Sequence, residues 1–567
     1  MLSIEYNDGT ADKGSAVSKI MEKGGERVKR EDRERTRGCG RFMSGVLVLS
    51  LSCIVVKVIG LAYKIPMMAY LGAEGMGYFN SAYELFALLC TTVTAGVPTA
   101  LSVAVSSRLA RAEKESAGRL YKLALLILIP LGFLGSLGLF LLARPLSALL
   151  GNEGSRLCLM AIAPSFFCVC FSGAVRGFFQ GHGKMSPTAV SQALEALGKL
   201  LLGVGLAAFA ARRGQSASEI AAFAALGLSL GMVISSGYLW VMRRIRGHSC
   251  SKIGPLYSMR GEVAELLKIA FPLTVGSAAM GITRLIDTAM ILRRLPTIGH
   301  TVAEANYIYG SYTTLAVPDF GLIPSLITPI AMALIPQLSA AVEEGSAERQ
   351  GSLIRRAIRL TVLLAMPSAL GIAVYARPIL ALLFEGQPDA VRVAAPMLSV
   401  LGCAVFFSGL VTTLNAILNA YRRTWLPILA MGIGAPVKAI FAYVLLGIPS
   451  VGAMGAPIST LLCDLSVTAI SLFFLGGLRP GFRSVCSLRL FVKPAFASFL
   501  AVLGSLCIYT PLRQYGALAL MAAILGAIVL YGGFVILLRI VTEEDLEGIP
   551  LLEKASRLYR RRKAKTL

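Results

Sequence analysis

Eleven ionisable side chains stand inside apolar stretches of this 567-residue chain. They are Lys57, Lys64, Arg176, Lys199, Arg284 and Lys438, with Glu84, Glu195, Asp287, Asp319 and Asp464. A charge at the centre of a hydrocarbon layer costs at least ~2.5–3.5 kcal/mol on insertion scales, so each must pair or face a water-filled cavity. Lys57 and Lys64 are seven residues apart with Gly60 between them, so the three form one stripe on a helix, and no acid shares their stretch. Lys438 likewise has no acid on its own helix. Basic groups facing a wet cavity suit an anion such as phosphate or pyrophosphate: lysine acts as a point charge, arginine as a two-pronged donor. Lys57, Lys64, Arg284 and Lys438 are therefore the expected substrate-binding set. Glu84, Asp287, Asp319 and Asp464 are the candidates for ion coupling or for polar cavity walls, and Glu84 is also the nearest expected partner for span-1 lysines. Glu195 and Lys199, at i,i+4, read as a structural pair; Arg284 and Asp287, at i,i+3, divide evenly between pair and site. Arg176 lies near a helix end and reads as a snorkelling side chain.

These residues need a scaffold that crosses a bilayer. Apolar types make up 56% of the chain, charged types 15%, and the mean hydropathy is +0.71. Soluble domains carry about 25% charged residues, so a soluble enzyme and a disordered chain are excluded. The apolar residues come in blocks of about 20, the length of a membrane helix, which also excludes a β-barrel of short alternating strands. Fourteen spans are expected at about 43–70, 77–105, 120–142, 157–180, 187–211, 219–242, 266–292, 311–341, 356–375, 393–421, 426–447, 454–475, 490–511 and 515–538. Eleven cysteines include no CxxC, and His182, His248 and His300 fall in loops, so no metal site is expected. A GxxxxGK[ST] phosphate loop is absent.

Lysine and arginine exceed aspartate and glutamate by 55 to 31, a net charge of +24. With the N-terminus inside, forty Lys and Arg fall on the inner segments and nine on the outer loops. The positive-inside rule thus places both termini in the cytoplasm. It also explains the excess charge without nucleic acid. The tail RLYRRRKAK would face anionic lipid.

The chain nearly repeats itself. Pro427 follows Pro187 by 240 residues, Lys438 follows Lys199 by 239, and Pro336 follows Pro98 by 238. The expected fold is an all-α polytopic membrane protein with two parallel six-helix lobes, related by a pseudo-two-fold along the membrane normal, plus two C-terminal helices. The expected organisation is a disordered cytoplasmic tail over 1–41, with Met43 as an alternative start, an N-lobe over 42–248 and a C-lobe over 249–478. Spans 13 and 14 occupy 479–540, and a basic tail 541–567. Parallel lobes around a midplane site are an alternating-access architecture. Pro318, Pro324, Pro329 and Pro336 crowd span 8 and predict a bent, mobile helix.

At several stretches the chain resembles a known group. GLAYKIPMMAYLGAEGMGYFNSAYELF (60–86), TAGVPTALSVAVSSRLA (94–110), RGFFQGHGKMSPTAVSQALEALGKL (176–200), AFPLTVGSAAMGITRLIDTAMILRRL (270–295) and residues 308–341 are similar to the multidrug/oligosaccharidyl-lipid/polysaccharide exporter superfamily. Within it they resemble the stage V sporulation protein B and polysaccharide-biosynthesis family, related to the lipid II flippases. The resemblance implies a non-enzymatic flippase in a bacterial cell membrane, moving an undecaprenyl-pyrophosphate-linked saccharide for wall, capsule or spore. Its partners would be that lipid-linked glycan and membrane lipid; no cofactor is implied, and Na⁺, H⁺ or the membrane potential would supply energy. Lipid II flippases place arginines of spans 1, 2 and 8 around a cationic cavity. Lys57 matches the first of these by its place three residues before Gly60, and Lys64 is one position from the second. Span 2 carries Glu84 instead, and span 8 has no basic residue. The competing reading is an ion-coupled multidrug exporter, in which the four acids would carry protons or Na⁺. A membrane-embedded enzyme would need a carboxylate cluster or metal motif in a large outer loop, and the outer loops are short.

Overall fold

A computed structural model describes residues 55–56, 58–60, 62–111, 113–245, 260–478, 489–538 and 540. Lys57 lies outside the described residues, as do both tails. All regular elements among the described residues are helices. In a bilayer a helix satisfies every backbone N–H and C=O within one segment, which is why apolar blocks of this length take that form.

Thirteen described segments are long and apolar enough to cross a membrane. The first, Val58–Leu109, has 52 residues, about twice a bilayer's thickness, and holds both span 1 and span 2. They meet at Gly72, whose φ of 64° and ψ of 178° break the helix. Only glycine adopts that backbone at low cost. Counting the two arms separately gives fourteen spans. Span 3 is Lys114–Leu141, span 4 Arg156–Gly181, span 6 Ala217–Ile245 and span 7 Arg260–Arg294. Spans 9 to 12 are Ala347–Leu383, Pro388–Ala420, Trp425–Leu446 and Gly455–Leu478; Arg489–Leu512 and Ala517–Leu537 complete the set.

Spans 5 and 8 are interrupted. Span 5 is Ser186–Gly198 and Val204–Arg212 joined by a π-helical turn over Lys199–Gly203. That turn sits where spans 5 and 6 touch backbone to backbone, Gly198 against Gly231 and Gly227 against Leu202 and Gly203. Span 8 is Val302–Ser311 and Val317–Glu343, with a π-helical turn over Tyr312–Ala316 immediately before Pro318. A capping box starts it, with Thr301 and Glu304 exchanging side-chain and backbone hydrogen bonds. The proline-rich part of span 8 runs on as one helix, so the irregular turn lies ahead of the prolines.

The same helix pairs pack in each half. Spans 2 and 4, 4 and 6, 3 and 4, and 5 and 6 are in contact; so are spans 8 and 10, 10 and 12, 9 and 10, and 11 and 12. Spans 13 and 14 pack on each other and on span 9.

The halves meet along a seam at one end. Asn80 donates to Thr313 Oγ1 and Thr314 Oγ1 at 2.9 and 2.8 Å, and Asn152 donates to Ser81 and Asn306, both at 2.8 Å. A Cβ on Gly310 would overlap the Ala73 carbonyl, and one on Gly77 the Asn306 carbonyl. This seam lies at the membrane face opposite the one rich in Lys and Arg, because span 2 leaves that face at Gly72 and span 8 enters from it at Thr301. On the basic face, span 7 is tied to the N-half through Arg108–Glu265 at 2.6 Å and Arg119–Glu262 at 3.9 Å. Gly310→Ala is expected to wedge the seam apart, at a cost of ~1–3 kcal/mol for overpacking. The check is maleimide labelling of Ser81→Cys with and without Gly310→Ala. Labelling should rise with the wedge, and unchanged labelling would show that the seam does not seal.

Candidate binding cavity between the two halves

Just to the basic-face side of the seam lies a cavity of about 620 Å³, within the range of small-molecule sites. Spans 1, 2, 4, 5 and 8 line it. Span 1 contributes Gly60, Tyr63 and Lys64, span 2 Tyr83, span 4 Arg176, span 5 Gln192, Glu195 and Lys199, and span 8 Pro318, Gly321, Leu322 and Ser325. Three cations and one carboxylate therefore face one space.

Lys64 donates from Nζ to the Thr313 carbonyl at 3.1 Å. That carbonyl belongs to the π-helical turn of span 8, and the bond bridges the two halves. Asp319, two turns on, is buried, and its Oδ2 has no hydrogen-bond partner among the described residues. Lys64 lies within electrostatic reach of Glu84 and Asp319.

Arg176 does not snorkel. Its side chain turns inward, where Nε donates to Ser191 Oγ at 2.9 Å and Nη2 to Glu195 at 3.2 Å and Ser235 Oγ at 3.3 Å. Lys199 reaches Glu195 at 3.2 Å and sits 5.7 Å from the centre of the Tyr83 ring. The i,i+4 pair is present, and with Arg176 it forms a three-residue array on the cavity wall. Sequence reasoning missed Arg176, Tyr63, Tyr83 and Gln192 as wall residues. The available signal was that Arg176, Glu195 and Lys199 stand together in the stretch 176–200.

Two expected substrate cations are placed elsewhere. Lys438 is buried and donates to Asp287 Oδ2 at 2.7 Å, with side-chain exposures of 5% and 13%. It does not face the cavity. Its acid comes from span 7, which no inspection of span 11 could show. Arg284 is exposed and does not line the cavity either. Its i,i+3 neighbour Asp287 is committed to Lys438. Asp464 stands near Lys438 and Asp287, and Asp287 Oδ1 and Asp464 Oδ2 are buried without a partner among the described residues. This C-half cluster thus holds two carboxylates and one ammonium, against two cations and one carboxylate in the N-half array. Glu84 makes no ion pair within 4 Å among the described residues; its electrostatic neighbours are Arg284, Lys64, Asp287 and Lys438.

A second cavity, of about 590 Å³, lies between spans 8, 9, 13 and 14. Ile323, Leu363, Pro367, Ile372, Val502 and Ile528 are among its apolar walls. The hydroxyls at its edge are already bonded within the protein, Tyr531 to the Leu363 carbonyl and Tyr375 to Ser505. Ile323 adjoins Leu322 of the charged cavity, so the two spaces are neighbours across span 8. No described group of three His, Cys, Asp or Glu residues could hold a metal ion.

Comparison with known proteins agrees with this architecture. The model of the polysaccharide biosynthesis protein family matches residues 42–342, and the MatE family model matches residues 313–444. Stage V sporulation protein B of Bacillus subtilis is 26% identical over 534 residues, covering 90% of this chain and 98% of that protein. The lipid II flippase MurJ of the same organism is 23% identical, covering 78% and 82%. The structure of lipid II flippase MurJ in an inward closed conformation superposes with a TM-score of 0.66 at 14% identity, over 87% of this chain and 99% of that one. With more than half of its length matched by the family model and the fold shared with a flippase of the same superfamily, the chain belongs to the polysaccharide biosynthesis protein family, a group of multi-pass membrane transporters.

Proposed function

We propose that this transporter flips a polyprenyl-pyrophosphate-linked saccharide across a bacterial cell membrane by alternating access. The observation that carries the reading is the cavity wall of Lys64, Arg176 and Lys199 with a single acid between two of them. An excess of fixed positive charge in a cavity favours an anion, and a diphosphate offers enough oxygens to engage several donors at once. The neighbouring apolar cavity, with its polar edges already satisfied, suits the hydrocarbon tail. The relatives named as stage V sporulation protein B and lipid II flippase support a lipid-linked glycan as cargo.

With both termini in the cytoplasm, the seam closes the outer face and the headgroup enters from the inner one. Outward movement of net negative charge is then favoured by an inside-negative potential, by about 2.3 kcal/mol per charge per 100 mV. Na⁺ or H⁺ coupling through Asp287, Asp319 and Asp464 is the alternative energy source. Those acids also support a second reading, ion-coupled export of cationic drugs.

The test is a leaflet-accessibility assay of labelled polyprenyl-linked precursors in cells depleted of the protein and complemented with variants. The double variant Lys64→Ala, Lys199→Ala should lower outer-leaflet appearance at least tenfold. Normal flipping by that variant would remove the cavity from the mechanism. Drug resistance on overexpression, with glycans unaffected by depletion, would favour the second reading.

A further inference from the structure

The Arg176–Glu195–Lys199 array is more than a fixed set of cations. Arg176 has anchors of its own: Ser191 and Ser235 accept from it at 2.9 and 3.3 Å, and Ser235 in turn donates to the Ser191 carbonyl at 2.8 Å. Its guanidinium is therefore held in place whether or not Glu195 is present. Glu195 has no such support. Its carboxylate is met only by Arg176 and Lys199 among the described residues, each at 3.2 Å. It occupies the position between two cations that an incoming anion would take.

We infer that Glu195 is a resident counter-anion, displaced electrostatically by the cargo's phosphate and protonated as the phosphate binds. This rests on the anion-binding reading of the cavity. A phosphate oxygen placed on Arg176 and Lys199 puts a second negative charge beside the carboxylate and removes both of its partners. A like charge at that range disfavours the ionised carboxylate. The groups facing Glu195 decide the response. Arg176 comes from span 4 and Lys199 from its own span. Span 2 offers Tyr83, with the Cys90 thiol in electrostatic reach. Span 1 brings Tyr63 and Lys64, span 6 the Ser235 hydroxyl, and the span 8 wall has no titratable residue. The remaining described base on the cavity wall, Lys64, donates to the Thr313 carbonyl rather than to Glu195. Glu195 sits in the cavity wall, so water in the cavity can deliver the proton. Binding takes up that proton, so anion affinity rises as pH falls; the proton is released when the anion leaves.

The experiment uses the full chain in lipid nanodiscs and farnesyl pyrophosphate as the probe. Calorimetric titration at one pH in two buffers of different ionisation heat reads the protons taken up per anion bound. The expected result is a larger uptake by the wild type than by Glu195→Gln, the difference approaching one proton. The probe's own ionisation is common to both and cancels. Across pH 6–8 the wild type's affinity relative to Glu195→Gln should rise by up to about tenfold per unit fall in pH. At the alkaline end Glu195→Gln should bind the more tightly of the two. Equal uptake by both proteins, or weaker binding by Glu195→Gln at every pH, overturns the inference and leaves the cavity reading intact. Failure of the wild type to bind the probe overturns both. Should Glu195→Gln not fold, the wild type decides alone: uptake no larger than the probe's own titration predicts overturns the inference.

Discussion

Lys438→Ala is expected to destabilise the protein by about 3–5 kcal/mol, the cost of breaking a buried ion pair from one side. Lys438 and Asp287 meet at 2.7 Å with almost no exposure. Removing the ammonium leaves Asp287 buried beside Asp464, with two partnerless carboxylate oxygens already in the cluster. The joint replacement Lys438→Met, Asp287→Leu should recover most of the loss, because an apolar pair of similar volume needs no charge compensation. Thermal unfolding of the purified variants in nanodiscs reads both effects. A single variant as stable as the wild type would mean that the cluster is hydrated and that Lys438 is available to a ligand after all.

Arg176→Ala has the opposite signature. Glu195 keeps Lys199, Ser191 and Ser235 keep backbone partners, and no isolated charge is stranded, so the unfolding midpoint should fall by only a few degrees. Anion binding should suffer instead. A hydrogen bond to a charged group is worth about 1.5–3 kcal/mol, which is roughly a tenfold to hundredfold loss of affinity for farnesyl pyrophosphate. Arg176→Lys should not rescue it, since a single ammonium cannot reproduce the guanidinium's fork toward Ser191, Ser235 and the anion together. Wild-type affinity in either variant would show that phosphate binds elsewhere. The two predictions separate the halves by role. Charge loss in the N-half costs function, and charge loss in the C-half costs the fold.

Fourteen spans, the doubled six-helix pattern and the membrane location were all legible in the chain. They follow from the length of apolar blocks and the distribution of Lys and Arg, quantities that one segment carries by itself. The bilayer enforces helix wherever such a block occurs, whatever packs beside it. The prolines of span 8 marked an irregular helix, and Pro318, which has no N–H for the Thr314 carbonyl, adjoins the irregular turn. The backbone departs from the α-helix at Tyr312–Ala316, ahead of them, where close packing against span 2 constrains the chain.

The charges were a different matter. The repeat aligns Lys199 with Lys438, and composition alone treats them alike. Tertiary structure gives Lys199 a place on the wall of a cavity and Lys438 a buried acid from another helix. It also turns Arg176 from the membrane edge to the interior and leaves Arg284 exposed. Which residues were costly in a membrane could be read from the chain, since that cost depends on residue type and depth. The Glu195–Lys199 pair could be read from its spacing, but the acids that meet Arg176 and Lys438, and the bases left facing a cavity, were settled only when separate helices came within 3.2 Å. Coulomb energy depends on distance and surrounding dielectric, and neither is a property of a single helix.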